Sequence, residues 1–158
     1  MPVERLVYID ETGIDHNIRL TRGWAPRGQR LYAEKPGNRT GRTSAIAALC
    51  NRRMHSTFCF EGYCTTDVFN LWLERCLVPN LKPGQIVILD NARFHQSHRT
   101  RFLIEAAKCR LLFLPPYSPD LNTIEHEWFP LKHHYAKIQH RYSSSSDAVD
   151  AAFRHMSQ

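Results

Sequence analysis

No apolar run in this chain approaches the ~18 residues that a membrane helix needs. The opening residues, Met1-Pro2-Val3-Glu4-Arg5, lack the charged-then-apolar layout of a secretory signal. A cytoplasmic protein with no membrane partner is therefore the expectation. There is no C-x-x-C pair either. The five cysteines (Cys50, Cys59, Cys64, Cys76 and Cys109) are odd in number and scattered, which argues against a disulfide framework and a structural zinc site and for buried free thiols. No internal repeat is visible, and the only low-complexity tract is Ser143–Ser146. Acids are scarcer than bases, 15 against 21, giving a net charge of +6 and a pI near 9.3, a balance that suits a polyanionic partner. Hydrophobic residues at 42% and charged residues at 23% are ordinary for a globular chain. Disorder, collagen and coiled coil are thereby excluded for the whole, and 158 residues suffice for one domain with a single core.

What is present reads as alternating strands and helices. Leu6-Val7-Tyr8-Ile9-Asp10 is a β-forming apolar run that ends in acids, Asp10-Glu11-Thr12-Gly13. Residues 19–42 are basic and punctuated by Gly and Pro, hence mostly loop around a short strand at Gln29–Ala33. Ser44–Cys50 and His55–Phe60 read as strands joined by the polar turn Asn51-Arg52-Arg53. A helix capped by Thr66 carries the stripe Phe69, Trp72, Leu73, Cys76 and Leu77 and stops at Pro79. Ile86-Val87-Ile88-Leu89-Asp90 is a second apolar strand ending in an acid. Ser97–Lys108 is a predicted helix with Phe102, Leu103, Ala106 and Ala107 inward, and Leu111–Leu114 a further strand. Pro115-Pro116-Tyr117-Ser118-Pro119 is a rigid loop. Asn122 opens a helix running to about Lys137, and Val149, Ala152, Phe153 and Met156 mark a last amphipathic one. Apolar strands flanked by helices imply an α/β sheet covered on both faces. The expected organisation is one domain over residues 1–142, with residues 143–158 a Ser-rich linker and helix packing on it.

Three acids stand out. In an open α/β sheet, ligands gather at the carboxyl ends of strands. If the strands ending in Asp10 and Asp90 are neighbours, about 4.8 Å apart, their carboxylates converge. Two such groups repel unless a cation lies between them, and a hard divalent ion takes this kind of donor. Either aspartate alone is as readily a turn starter. Glu125, with 34 residues between it and Asp90, sits at a helix start where capping-box geometry with Asn122 is the competing role. Glu127 and Asp120 lie close by, and the residue types alone do not choose among them.

Three blocks together resemble the DDE transposases of the mariner superfamily, in particular its bacterial insertion-sequence branch. They are Tyr8-Ile9-Asp10-Glu11-Thr12-Gly13, Leu89-Asp90-Asn91-Ala92-Arg93-Phe94-His95, and the long block from Pro115-Pro116-Tyr117-Ser118-Pro119-Asp120-Leu121-Asn122 through Glu125-His126-Glu127-Trp128. Gly23-Trp24-Ala25-Pro26-Arg27-Gly28 resembles the same branch. The similarity runs over roughly residues 5–140. It implies a ribonuclease H-like fold, a mixed five-stranded sheet with helices on both faces. It also implies a catalytic and metal-holding triad at Asp10, Asp90 and Glu125, whose second-to-third spacing matches the family. Thr123 departs from the pattern, where most relatives carry Pro.

The resemblance implies the catalytic domain of a cut-and-paste DNA transposase acting at transposon ends by phosphodiester hydrolysis and strand transfer. Its implied cofactor is Mg²⁺, two ions, with Mn²⁺ as a substitute. Such chemistry needs no protein nucleophile, in keeping with the lack of a Ser–His or Cys–His signature. The implied partner is double-stranded DNA and the implied location nucleoid-associated. Arg19, Arg22, Arg27, Arg30, Arg39 and Arg42 are candidate contacts to the DNA backbone, as are His95 and His126, which lie next to the triad in sequence. Relatives carry N-terminal helix-turn-helix domains, whereas this chain starts at the first catalytic strand. The expectation is either a homodimer or a helix-turn-helix region in a longer or separate chain. Two other readings stand beside this one: a truncated non-catalytic fragment that binds DNA or interferes with transposase, and a stand-alone ribonuclease H-like nuclease.

Overall fold

Leu6–Asp15 forms β1, and two antiparallel partners follow it, β2 (Arg42–Cys50) and β3 (Arg53–Glu61). The computed structural model describes residues 3–15 and 41–157. The strand expected at Gln29–Ala33 and the block Gly23–Gly28 lie outside those residues. The β2–β3 turn is tight because Asn51 and Arg52 both take positive φ, 50° and 61°, the geometry that matches the twist of a hairpin. After β3 the chain alternates: α1 (Thr66–Trp72), β4 (Ile86–Leu89), α2 (His98–Ala106), β5 (Arg110–Phe113), α3 (Glu125–Ile138) and α4 (Ser145–Met156). Sheet order is β3-β2-β1-β4-β5, with β1, β4 and β5 parallel. This is the mixed five-stranded α/β sheet expected from the sequence.

Alternation along β1 distributes its side chains between two cores. Val7 and Ile9 join Val87 and Leu89 beneath α1 and α2, packed on Phe69, Trp72, Leu73 and Ile104. Tyr8 and Ile14 face the other way, toward Ile124, Trp128, Leu131 and Tyr135 of the α3 region and Val149 and Phe153 of α4. Each fully buried apolar side chain of this size contributes about 1.5–3 kcal/mol. No helix among the described residues is long and apolar enough to cross a membrane.

Several sequence expectations need correction. β1 does not stop at Asp10 but runs five residues further, because β2 pairs with it as far as Asp15↔Arg42. The α1 cap is Thr65, whose hydroxyl accepts from Val68 N, rather than Thr66. α1 then passes into a π-helical turn at Leu73–Leu77. In α2, Phe102 and Ala106 are exposed and Thr100 and Ile104 point inward. The phase is set by polar bonds: Ser97 caps the helix at Thr100 N, and Thr100 Oγ1 donates to Asn70 Oδ1 at 2.8 Å. α3 begins at Glu125, not at Asn122. All five thiols are free, but Cys109 alone is buried; the other four are partly exposed.

Candidate active site

Parallel pairing between β1 and β4 covers only Leu6↔Ile86, Val7↔Val87 and Tyr8↔Ile88. Continued by two residues, that register sets Asp10 level with Asp90. β4 ends at Leu89 while β1 continues on β2, so the two strands part at the level of these acids and leave a crevice. β5 ends at the same level: Leu114 N donates to Leu89 O, and the proline loop departs from there. An open cavity of about 340 Å³ results, lined by Asp90, Asn91, Ala92, the 114–119 segment, Asn122 and Glu125.

Asp10 shares the face of β1 that looks toward α3. It is 6% exposed, and Trp128 Nε1–H donates to its Oδ2 at 2.8 Å. Burial pushes its carboxyl up to about 8; the Trp128 bond opposes this, and the charges of Glu125 and Glu11 add to it. Glu125 is thus close enough to Asp10 for the two charges to repel. It is exposed on the first turn of α3, one turn before Trp128.

The capping-box role for Glu125 does not hold. α3 has no side-chain cap, and the Asn122 side chain turns to the sheet, where Nδ2–H donates to Ile9 O at 3.3 Å. Asn122 is 2% exposed, and its Oδ1 is buried without a hydrogen-bond partner. Glu127 is half-buried and Asp120 exposed, and neither lines the cavity.

Asp90 is gripped from one side. Its Oδ1 accepts from Ala92 N at 3.0 Å and lies 2.6 Å from His95 Nδ1, an ion-pair contact without the alignment of a hydrogen bond. Contact with His95 holds the Asp90 carboxyl below its usual range, while burial works against this. The other His95 nitrogen, Nε2, lies 3.2 Å from Glu11 Oε2. The ring is fully buried, with the Phe69 and Phe94 rings each centred 4.4 Å away. Burial disfavours its charge, yet the two carboxylates outweigh burial and raise it to about 9. The expectation that His95 contacts DNA is therefore corrected. Fully buried between Asp90 and Glu11, it cannot reach a phosphate. His126 is exposed on α3.

Of the six candidate DNA-contact arginines, Arg42 lies among the described residues, and Arg19, Arg22, Arg27, Arg30 and Arg39 lie outside them. Arg42 folds back on its own domain. Its guanidinium stacks 4.6 Å from the centre of the Tyr63 ring and fills the space a Cβ at Gly13 would take.

Residues 5–149 match the family model described as DDE superfamily endonuclease. The chain belongs to that family. Within it, the chain is 27% identical over 140 residues to an insertion element IS630 uncharacterized 39 kDa protein of Shigella sonnei, covering 87% of this chain and 40% of the relative. It therefore spans about two fifths of that relative's length. Many solved structures share the fold, among them the following two. The catalytic core domain of BIV integrase aligns at TM-score 0.60 and 16% identity, covering 95% of this chain and 81% of that one. The Mos1 transposase paired-end complex with left transposon end aligns at TM-score 0.64 and 16% identity, covering 98% and 52%. The endonuclease domain thus has the ribonuclease H-like core of integrases and transposases. Family membership carries a dependence on divalent metal.

In chemical kind the donors suit such an ion. Carboxylate oxygens are what a hard divalent cation takes, and Asp10 and Asp90 sit at one level with Glu125 near Asp10. The orphaned Asn122 Oδ1 adds a neutral acceptor beside them. Among the described residues, no group of three or more His, Cys, Asp and Glu side chains stands close enough together to hold a metal ion.

Proposed function

We propose that this chain is the catalytic domain of a cut-and-paste DNA transposase. In this reading it hydrolyses phosphodiester bonds and carries out strand transfer at transposon ends on double-stranded DNA. Asp10, Asp90 and Glu125 would hold two Mg²⁺ ions, for which Mn²⁺ can substitute. The observation that carries the reading is the shared level of Asp10 and Asp90 at the point where β1 and β4 part. Bound there, the metal supplies Lewis-acid activation of the attacking oxygen and of the leaving oxygen.

The remaining work belongs to the chain itself. Asp10, buried and tied by Trp128, is a fixed donor. Asp90, held by Ala92 N and His95, presents its exposed side to the cavity. Glu125 completes the set from a helix start, free of capping duty. The cavity is open to solvent along the proline loop, as a site for a polymer must be.

The fold neighbours include integrase and transposase assemblies, one carrying a transposon end, and this supports DNA as the partner. By the same likeness, a homodimer or a helix-turn-helix region in a longer or separate chain would supply end recognition and pairing. Residues 1–142 would form the catalytic domain, with residues 143–158 packed on it through α4. A nicking assay on supercoiled DNA with Mg²⁺, Mn²⁺ or EDTA tests the proposal. Wild type should nick only with metal, and Asp10→Asn and Asp90→Asn should each lower the rate at least about a hundredfold while folding normally. Nicking that persists in EDTA, or in either variant, would refute it.

A further inference from the structure

Tyr117 is the outlier of the cavity wall. Its side chain is fully exposed, so its ring packs against nothing in its own fold. Its backbone sits at φ 58°, a left-handed conformation that bulky side chains rarely adopt. Pro115, Pro116 and Pro119 stiffen the loop around it, and Ser118 Oγ–H donates back to Pro116 O at 3.4 Å. The same cavity wall carries Asp90 and Glu125. A large aromatic ring is thus held out on a stiff, strained loop at the rim of the site, with both ring faces available.

We infer that Tyr117 is a stacking platform for a nucleobase next to the phosphate being cut. The inference rests on the endonuclease reading above. The chemistry follows from exposure: a phenol ring in water, anchored by a stiff loop, gains most from a flat apolar partner, and every base offers a π face. Paired bases in a duplex are already stacked on both sides. The ring therefore favours a base that is unpaired or turned out at the cut, and it does so without reading sequence. A stiff loop fits this role, since it leaves less backbone freedom to be lost when the substrate arrives.

The test uses a short duplex carrying a single unpaired 2-aminopurine at its 3′ end, with a second duplex carrying it fully paired. Binding is followed by fluorescence in Ca²⁺, and cutting is measured separately in Mg²⁺. Stacking by Tyr117 predicts that the wild-type chain quenches the unpaired probe more than the paired one. Tyr117→Ala should lose that quench and bind the overhang about tenfold more weakly. Tyr117→Phe and Tyr117→Trp should restore both quench and affinity. Thermal stability should be the same in all, because the ring touches nothing. Equal quench and affinity in wild type and Tyr117→Ala would overturn the inference, as would wild type that fails to quench. If Tyr117-dependent quenching is found but the chain never cuts, the platform stands and the endonuclease reading is what fails.

Discussion

Trp128 and Asp10 lie 118 positions apart in the chain, and the indole N–H of one donates to the carboxylate of the other at 2.8 Å. This bond ties the helix that carries Glu125 to the strand that carries Asp10, so it fixes two proposed ligands relative to each other. Partners of this kind are typically worth about 10–100-fold in metal affinity or activity. Trp128→Phe keeps most of the apolar packing against Phe153 and removes the donor. It should therefore need roughly tenfold more Mn²⁺ for half-maximal nicking and lose about 1–3 kcal/mol of stability. A metal titration of nicking together with urea unfolding checks both, and an unchanged Mn²⁺ midpoint would show that the bond positions nothing.

Burial makes Asp10 a liability in metal-free protein. Its carboxyl is raised from 3.8 to about 8, so the folded state holds a proton that the unfolded chain releases. A raised group contributes stability that is complete below the unfolded value and is lost as pH climbs through the folded one. In EDTA, this contribution to the melting temperature should fall away between about pH 4 and pH 8. Asp10→Asn, which cannot ionise, should show a shallower fall and melt higher than wild type near pH 9, by at least about 2–4 °C. Thermal melts across that range decide it, and parallel curves for the two proteins would mean Asp10 is not the group responsible.

Much of this site is legible in the sequence, and the part that is not has a physical reason. Apolar runs ending in Asp10 and Asp90 announce strands meeting at acids, because a strand buried on both faces has nowhere else to place a charge. The end of β1 is hidden because Glu11, Thr12 and Gly13 look like a turn, and pairing with β2 overrides that local preference. Periodicity gives only part of the inward face of α2: Leu103 and Ala107 pack on the core, but Phe102 and Ala106 do not, because the phase follows Thr100 and Asn70, a polar contact 30 positions apart that hydrophobic spacing does not record. Sequence proximity to Asp90 makes His95 look like a surface residue able to meet DNA. Its burial depends on the Phe69 and Phe94 rings, and Phe69 lies on a helix far from it in sequence.

Choice of the third acid rests on position. Glu125 lines the cavity and is within electrostatic reach of Asp10, whereas Glu127 is half-buried and outside the cavity wall. Glu125→Gln should abolish metal-dependent nicking, a loss of about a hundredfold or more, and Glu127→Gln should keep most of it. Rates measured at saturating Mn²⁺ separate them. The opposite pattern would move the assignment along α3 to Glu127 and leave Glu125 as a surface acid.

For His95 the sign of the pH dependence follows from its two partners. The ring bridges Glu11 and Asp90, and these carboxylates hold it charged although it is fully buried, with its pKa raised from 6.5 to about 9. The stabilisation is complete below about 6.5 and is lost as pH rises through about 9. His95→Phe preserves a ring between Phe69 and Phe94 but removes both nitrogens, leaving Asp90 and Glu11 unbalanced. Asp90 is half exposed, so water offsets part of the loss, and a deficit of about 1–3 kcal/mol near pH 6 is expected. Above about pH 9.5 the deficit should shrink, because the wild-type ring is then neutral and its ion pairs are gone. Urea unfolding in EDTA at both pH values reads the difference, and Asp10 is common to both proteins, so its own titration cancels. A deficit that stays constant with pH would mean that His95 is neutral in the fold and acts by packing alone.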